Sequence, residues 1–233
     1  FLWVKDDWFA FQFLLIAAGF VGKAFIHWER EGRRVHIFNP SAFALALFSL
    51  ALILTGTTSM TWAQEINTTF GLGPRIYLVL FLIGLVVMYF FSTTYVTASA
   101  AVTLFGLSAL YGAVTGVPYF VDSEIPTAVF LGLHLLVTDP STSPRTPLGR
   151  VIFGVAYGVG VFGLYALLGV LGVPTFYDKL LCVPLLNLLA PSIDRLVTRL
   201  GERPIVALLG LEPPLGRRNL VHMAAWIVFF AVM

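Results

Sequence analysis

Apolar residues run through this chain in long blocks separated by short polar stretches, and the blocks set the elements it predicts. A bilayer-crossing helix needs about 20 mostly apolar residues. Trp8 to Phe25 meets that need, with Lys23 near its end able to reach the interface. A charged loop, Lys23 to Arg34, leads to a shorter apolar run from Pro40 to Thr55. Asn39 suits its N-cap, and Pro40 suits the first helical position, where a missing N–H costs nothing. After a polar segment from Thr57 to Arg75 come Ile76 to Phe91 and Tyr95 to Val117, joined only by Ser92-Thr93-Thr94. So short a link predicts an antiparallel pair.

Pro126 to Thr138 is too short to cross alone and reads as a half-helix or re-entrant segment. Lipid tolerates such a piece only where protein surrounds it. Thr146 and Pro147 then cap a Gly-rich helix reaching to about Val173, with Gly154, Gly158, Gly160 and Gly163 allowing close helix contact. Lys179 to Ile193 is interrupted by Pro184 and Pro191, Asp194 to Arg218 is amphipathic, and Asn219 opens a last run. The fold class expected is all-α: a polytopic membrane helix bundle of about eight apolar segments, some broken or re-entrant, in one membrane domain over 1–233.

Two of the polar breaks echo each other. Asn39-Pro40-Ser41 and Asp139-Pro140-Ser141 lie a hundred positions apart, with His36 and His134 a few residues upstream of each. The echo predicts an internal repeat with halves near 1–116 and 117–233. A carboxylate deep in a membrane costs roughly 2.5–3.5 kcal/mol, so a membrane acid usually has a job or a partner. Two readings of Asp139 stand. It caps an interfacial turn, or it lines a buried polar site with Thr138, Ser141 and Thr142, facing Asn39, Pro40 and Ser41. Broken helices of paired repeats meet in the second way near the midplane. The N–H groups that open the helix after Pro40 would suit an anion such as a phosphate.

Composition narrows the class. The chain is 58% hydrophobic and 11% charged, with mean hydropathy +0.91. Soluble domains carry about 25% charged residues, so most of this surface must face lipid. A net charge of +2, with no basic run interleaved with aromatics, argues against nucleic acid. The Arg-rich loops at 23–34, 139–150 and 194–218 predict cytoplasmic placement, whereas 117–125 holds Asp122 and Glu124 and no base. A re-entrant fifth segment would invert everything after it. The lone Cys182 excludes an internal disulfide and a Cys-based metal site, and its apolar surroundings make it a core residue. No histidine pair has helical spacing, so no metal site and no catalytic set is expected. The first run lacks the basic flank and small residues of a cleavable signal peptide. The sequence begins at Phe1 and stops at Met233 within an apolar run, so further soluble or membrane parts are expected beyond both ends.

HIFNPSAF at 36–43 resembles the NPFNPA-type motif of the D-type membrane component of Rnf electron-transport complexes. That component is a relative of the B-type membrane component of the sodium-pumping NADH:quinone reductase. LLVTDPSTSPRTPLGRVIFGVAYGVGVF at 135–162 is similar to the family's TDP-x-T pattern, and VPLLNLLAPSIDRLVTR at 183–199 to its LLxNxxxPLID ending. The resemblance implies a bundle with an inverted repeat, similar to urea channels. It also implies a multi-pass inner-membrane subunit of a bacterial electron-transport complex, bordering a flavin or quinone and an ion path, with other membrane or redox subunits and the lipid bilayer as partners. Family members carry FMN on a threonine in an S-[GQ]-A-T segment. No such tetrapeptide occurs here, and Thr57-Thr58-Ser59, Asn67-Thr68-Thr69 and Thr97-Ala98-Ser99 are poor substitutes. Covalent FMN is therefore not expected, while a non-covalent flavin or quinone is allowed. The residues expected to border it are Asn39, Pro40, Ser41, Thr138, Asp139, Ser141 and Thr142. A cofactor-free scaffold, or a conduit for a small solute or ion with the same fold, is the alternative.

Overall fold

The computed structural model describes residues 2–30, 32–70, 74–120, 127–200 and 217–232. The acidic loop holding Asp122 and Glu124, and the 201–216 part of the expected amphipathic stretch, lie outside the described residues. Those described are mostly helical: α1 (Ala10–Phe25), α2 (Pro40–Thr55), α3 (Ala63–Phe70), α4 (Pro74–Phe91), α5 (Thr94–Thr115), α6 (Thr127–Leu131), α7 (Pro147–Val170), α8 (Asp178–Leu200) and α9 (Arg217–Val232). Three stretches, Thr94–Thr115, Pro147–Val170 and Thr175–Leu200, are long and apolar enough to cross a membrane. Ala10–Phe25, Pro40–Thr55, Arg75–Phe91 and Asn219–Val232 are apolar but shorter. Much of the outward surface is bare hydrocarbon, as at Phe13, Leu54, Phe90, Val114 and Val170, and lipid is the solvent that suits it.

The charged segment after α1 is a departure from the all-α expectation. His27–Arg30 (β1) and Arg33–His36 (β2) pair antiparallel, His27 opposite His36, with Gly32 at φ 71° in the turn. Glycine accepts that left-handed backbone without a Cβ clash. The hairpin delivers His36 to the mouth of α2.

α7 is the spine. Two of its glycines lie flat against α5: a Cβ on Gly154 would strike Ser99 and the Val96 carbonyl, and one on Gly158 would meet Thr103 Cβ at 2.7 Å. With no Cβ between them the backbones approach closely, and dispersion contacts substitute for a hydrophobic drive that lipid cannot supply. α8 packs on the other side of α7 and also against α2, which in turn packs on α1. α8 runs unbroken through Pro184 and Pro191, correcting the expected interruption. Each proline removes one helical N–H, yet packing on α7 and α2 holds the helix together. α4 and α5 do not form the expected close pair. α4 packs on α6, on the turn after it, and on α9. Ser92 between them sits at φ 53°, which swings the chain away from a simple hairpin.

At the hub is the short fifth segment. α6 continues as a single π-helical turn, Gly132–Leu136, closed by Val137 N–H donating to Gly132 O at 3.0 Å. Gly132, Leu133, His134 and Leu136 are all buried, and the turn touches α4, α5 and α8. A π turn leaves carbonyls poorly paired within the helix, and such turns cluster at functional sites. Here side chains from elsewhere take them up.

Candidate functional site

Asn39 organises the first of these contacts. Its Oδ1 accepts the N–H groups of Ser41 and Ala42 at 3.1 and 3.2 Å and the Ser41 hydroxyl at 2.7 Å. That is the expected N-cap, with Pro40 at the first helical position. Its Nδ2 reaches across to donate to Leu136 O at 3.3 Å, and its backbone N–H donates to Asn187 Oδ1 at 3.1 Å. Asn187, on α8, donates in turn to Thr142 O at 3.4 Å. One amide on α8 therefore ties the start of α2 to the chain that follows the π turn.

The second break is a run of turns rather than a helix start. Thr138 is buried and its Oγ1 donates to His134 O at 2.7 Å. Asp139 accepts Ser141 N–H at 3.0 Å on Oδ1 and the Thr142 hydroxyl at 3.2 Å on Oδ2. His36 Nε2 lies 3.9 Å from the same Oδ2. The Asp139 side chain is 16% exposed, so it sits at a mouth rather than in a sealed core. Asp139 caps a turn, and the chain on either side of it meets Asn39 through Leu136 and Asn187. The tripeptides at 39–41 and 139–141 are not locally equivalent, since the first caps a helix and the second a turn. The helix start after the second break is instead at Thr146-Pro147, where Thr146 Oγ1 accepts Gly149 N–H at 3.1 Å.

Two further residues belong to this site that the sequence places only in the NxxxPLID-like ending at 183–199. Asn187 is one amide in an apolar run, and that isolation is itself the available signal. Asp194 looked like the start of an amphipathic stretch. It accepts Arg145 N–H at 3.1 Å, Thr146 N–H at 3.3 Å and the Thr146 hydroxyl at 3.1 Å, so a carboxylate from α8 caps α7. A negative charge there also suits the helix dipole. Arg150 then bonds Pro144 O at 3.2 Å and Ser92 O at 2.9 Å, pinning the α4–α5 corner to α7.

This geometry bears on the cofactor. The N–H groups of Ser41 and Ala42, which would have met a phosphate, are consumed by Asn39. Beside them lies a cavity of about 280 Å³ lined by Leu15, Ile16, Gly19, Phe20, Lys23, Pro40, Ser41 and Ala44. Its serine hydroxyl already donates to Asn39. The Thr138 and Thr142 hydroxyls and the Ser141 N–H are likewise engaged with neighbouring groups. Most of the donors expected to border a flavin are therefore spent on neighbouring protein groups. A larger cavity of about 420 Å³ between α1 and α2 is walled by Leu14, Leu15, Leu47 and Phe48, with Thr55, Thr57 and Thr61 at its edge.

His134 is sealed among Phe81, Phe130 and Trp226 and lies against Gly84, whose missing Cβ leaves room for the imidazole. Its Nδ1 faces Phe130 O at 2.9 Å, and because a carbonyl only accepts, that nitrogen carries the proton. Among the described residues no three His, Cys, Asp or Glu side chains gather to hold a metal ion. Cys182 is buried and free. In comparisons with known proteins, the chain matches no protein-family model, no curated protein and no solved structure.

Proposed function

We propose that this chain is a multi-pass subunit of a bacterial inner-membrane electron-transport assembly of the Rnf and sodium-pumping NADH:quinone reductase type. In it the chain supplies helical frame and a polar ion path beside a flavin or quinone held by neighbouring subunits. One observation carries the reading. The three segments that bear the resemblance, 36–43, 135–162 and 183–199, close on one another through Asn39, Leu136, Thr142 and Asn187. Polar groups inside a membrane are costly, so a cluster drawn from three distant segments needs a use. Eight apolar segments arranged as two related halves, 1–116 and 117–233, complete this reading.

A second reading, a cofactor-free scaffold or ion conduit, is favoured by the same cluster's internal bonding, which occupies most of its donors. Purification from membranes with mild detergent separates the two. Co-isolation with redox subunits and an extractable flavin supports the first. A colourless chain that purifies alone and carries ions in vesicles supports the second and overturns the first.

A further inference from the structure

A second buried polar cluster lies at the other end of the π turn. Asp178 and Lys179 open α8 with side chains 0% and 2% exposed, Nζ lying 2.8 Å from Asp178 Oδ1. The same Oδ1 accepts the Lys179 N–H at 2.6 Å, whereas Oδ2 is buried with no hydrogen-bond partner. Tyr157 of α7 is fully buried, and its hydroxyl is also without a partner. Gly132 packs against both elements: a Cβ there would strike the Tyr157 hydroxyl and lie 3.6 Å from Lys179 Cβ.

A pair kept only for packing is expected to close its hydrogen bonds, because an unsatisfied buried polar atom is costly and a half-closed buried ion pair more so. Here an acceptor without a donor and a donor without an acceptor are buried on α8 and α7, two elements that both meet Gly132. The remaining titratable groups around Asp178 are Cys182 on its own helix, Tyr177 just before it and Tyr119 from the loop after α5. Tyr119 is the outermost. Its hydroxyl donates to Phe162 O at 2.5 Å, and it borders a cavity of about 260 Å³ with Phe105, Ser108, Ala109, Pro118 and Phe120. Burial pushes the Tyr119 hydroxyl up to about 12, so it stays a neutral phenol.

We propose that Asp178, Lys179 and Tyr157 form a buried proton-exchange site, loaded from the side of the bundle on which Tyr119 lies. A hydronium arriving there forms an O–H bond at Asp178 Oδ2 and leaves water behind. Lys179 is then an uncompensated buried cation and gives an N–H proton to water. Transfer of the Asp178 proton to Nζ restores the carboxylate–ammonium pair, so one proton enters and one leaves. The site needs no redox partner and stands apart from the electron-transport reading.

The test is infrared difference spectroscopy on the full chain in phosphatidylethanolamine–phosphatidylglycerol vesicles, with aspartate isotopically labelled, as pH is lowered. A buried protonated carboxyl band should appear, shift in heavy water, vanish in Asp178→Asn and move in frequency in Tyr157→Phe, which loses the hydrogen-bond donor. Tyr119→Phe should leave the band in place and slow its hydrogen–deuterium exchange. If Asp178→Asn does not fold, Asp178→Glu decides, because its carboxyl band no longer carries the aspartate label shift. A wild-type protein without a titrating buried aspartate band overturns the proposal, as does a band that Asp178→Asn retains or that Tyr157→Phe leaves unmoved.

Discussion

The side chain of Asn187 accepts the backbone N–H of Asn39 at 3.1 Å across 148 positions of sequence. It donates to Thr142 O as well, so one amide joins α2, α8 and the turns after Asp139. Asn187→Leu strands a buried N–H and a buried carbonyl together. The expected loss is about 2–6 kcal/mol, from about 1–3 kcal/mol for each stranded group. Reversible unfolding in mixed detergent micelles measures it. A loss within error of zero would mean that water replaces the amide freely.

Asn39 separates capping from bridging. Asn39→Ser keeps a neutral N-cap acceptor for Ser41 and Ala42 and loses the donor to Leu136 O. Asn39→Ala loses both and is expected to be about 1 kcal/mol worse, the usual worth of an N-cap. The same micelle titration ranks the two. Equal losses would show that the cap contributes nothing here.

Asp139 has two acceptor contacts, with Ser141 N–H and the Thr142 hydroxyl. Asp139→Asn retains one acceptor oxygen and is expected to cost less than Asp139→Leu, which retains none. The gap should be about 1–3 kcal/mol. If both variants assemble and unfold alike, Asp139 is an interfacial turn residue only.

The glycines of α7 give an internal control. Gly154→Ala must push Ser99 and the Val96 backbone aside, and overpacking of this kind costs about 1–3 kcal/mol. Gly163 has nothing within 4 Å of an added Cβ. Gly163→Ala should be neutral or stabilising by up to about 1 kcal/mol, the helix propensity difference. Thermal unfolding in one detergent, variant against variant, reads the contrast.

Sidedness follows from Asp194 and His36. Asp194 holds Arg145 and Thr146, and His36 lies at Asp139, so the hairpin, the 139–146 turns and the last turns of α8 share one end of the bundle. Cysteines introduced at Arg33, Arg145 and Arg199 should therefore react with an impermeant maleimide from the same side. Buried Cys182 should stay silent as background. Labelling of Arg145 from the side opposite Arg33 would contradict this arrangement.

What could be read from the chain was local. Asn39-Pro40 and Thr146-Pro147 announce helix starts because capping is a matter of adjacent residues, and the fifth run betrays its shortness by counting. The hairpin was hidden because His27–Arg30 and Arg33–His36 carry charges without an apolar stripe, which reads as loop. α8 passes through Pro184 and Pro191 because packing overrides a proline's local preference, which no window of sequence contains. Asn187 and the Asp178–Lys179 pair look like stray polar residues until α2, α7 and the π turn are brought against them. The cluster at Asn39 was visible as two breaks, but its third member and its closure were tertiary facts.

The bond between Asn39 and Asn187 also sets a clock. Its 148 positions correspond to roughly 7–30 seconds of ribosomal output at about 5–20 residues per second. Through that interval α2 is already made, its own Asn39 side chain serving Ser41 and Ala42, while the Asn39 N–H waits for a helix not yet synthesised. The nascent protein therefore passes through a stage in which its earliest polar mouth is half built. Whatever escorts it into the bilayer has to guard that mouth until α8 arrives.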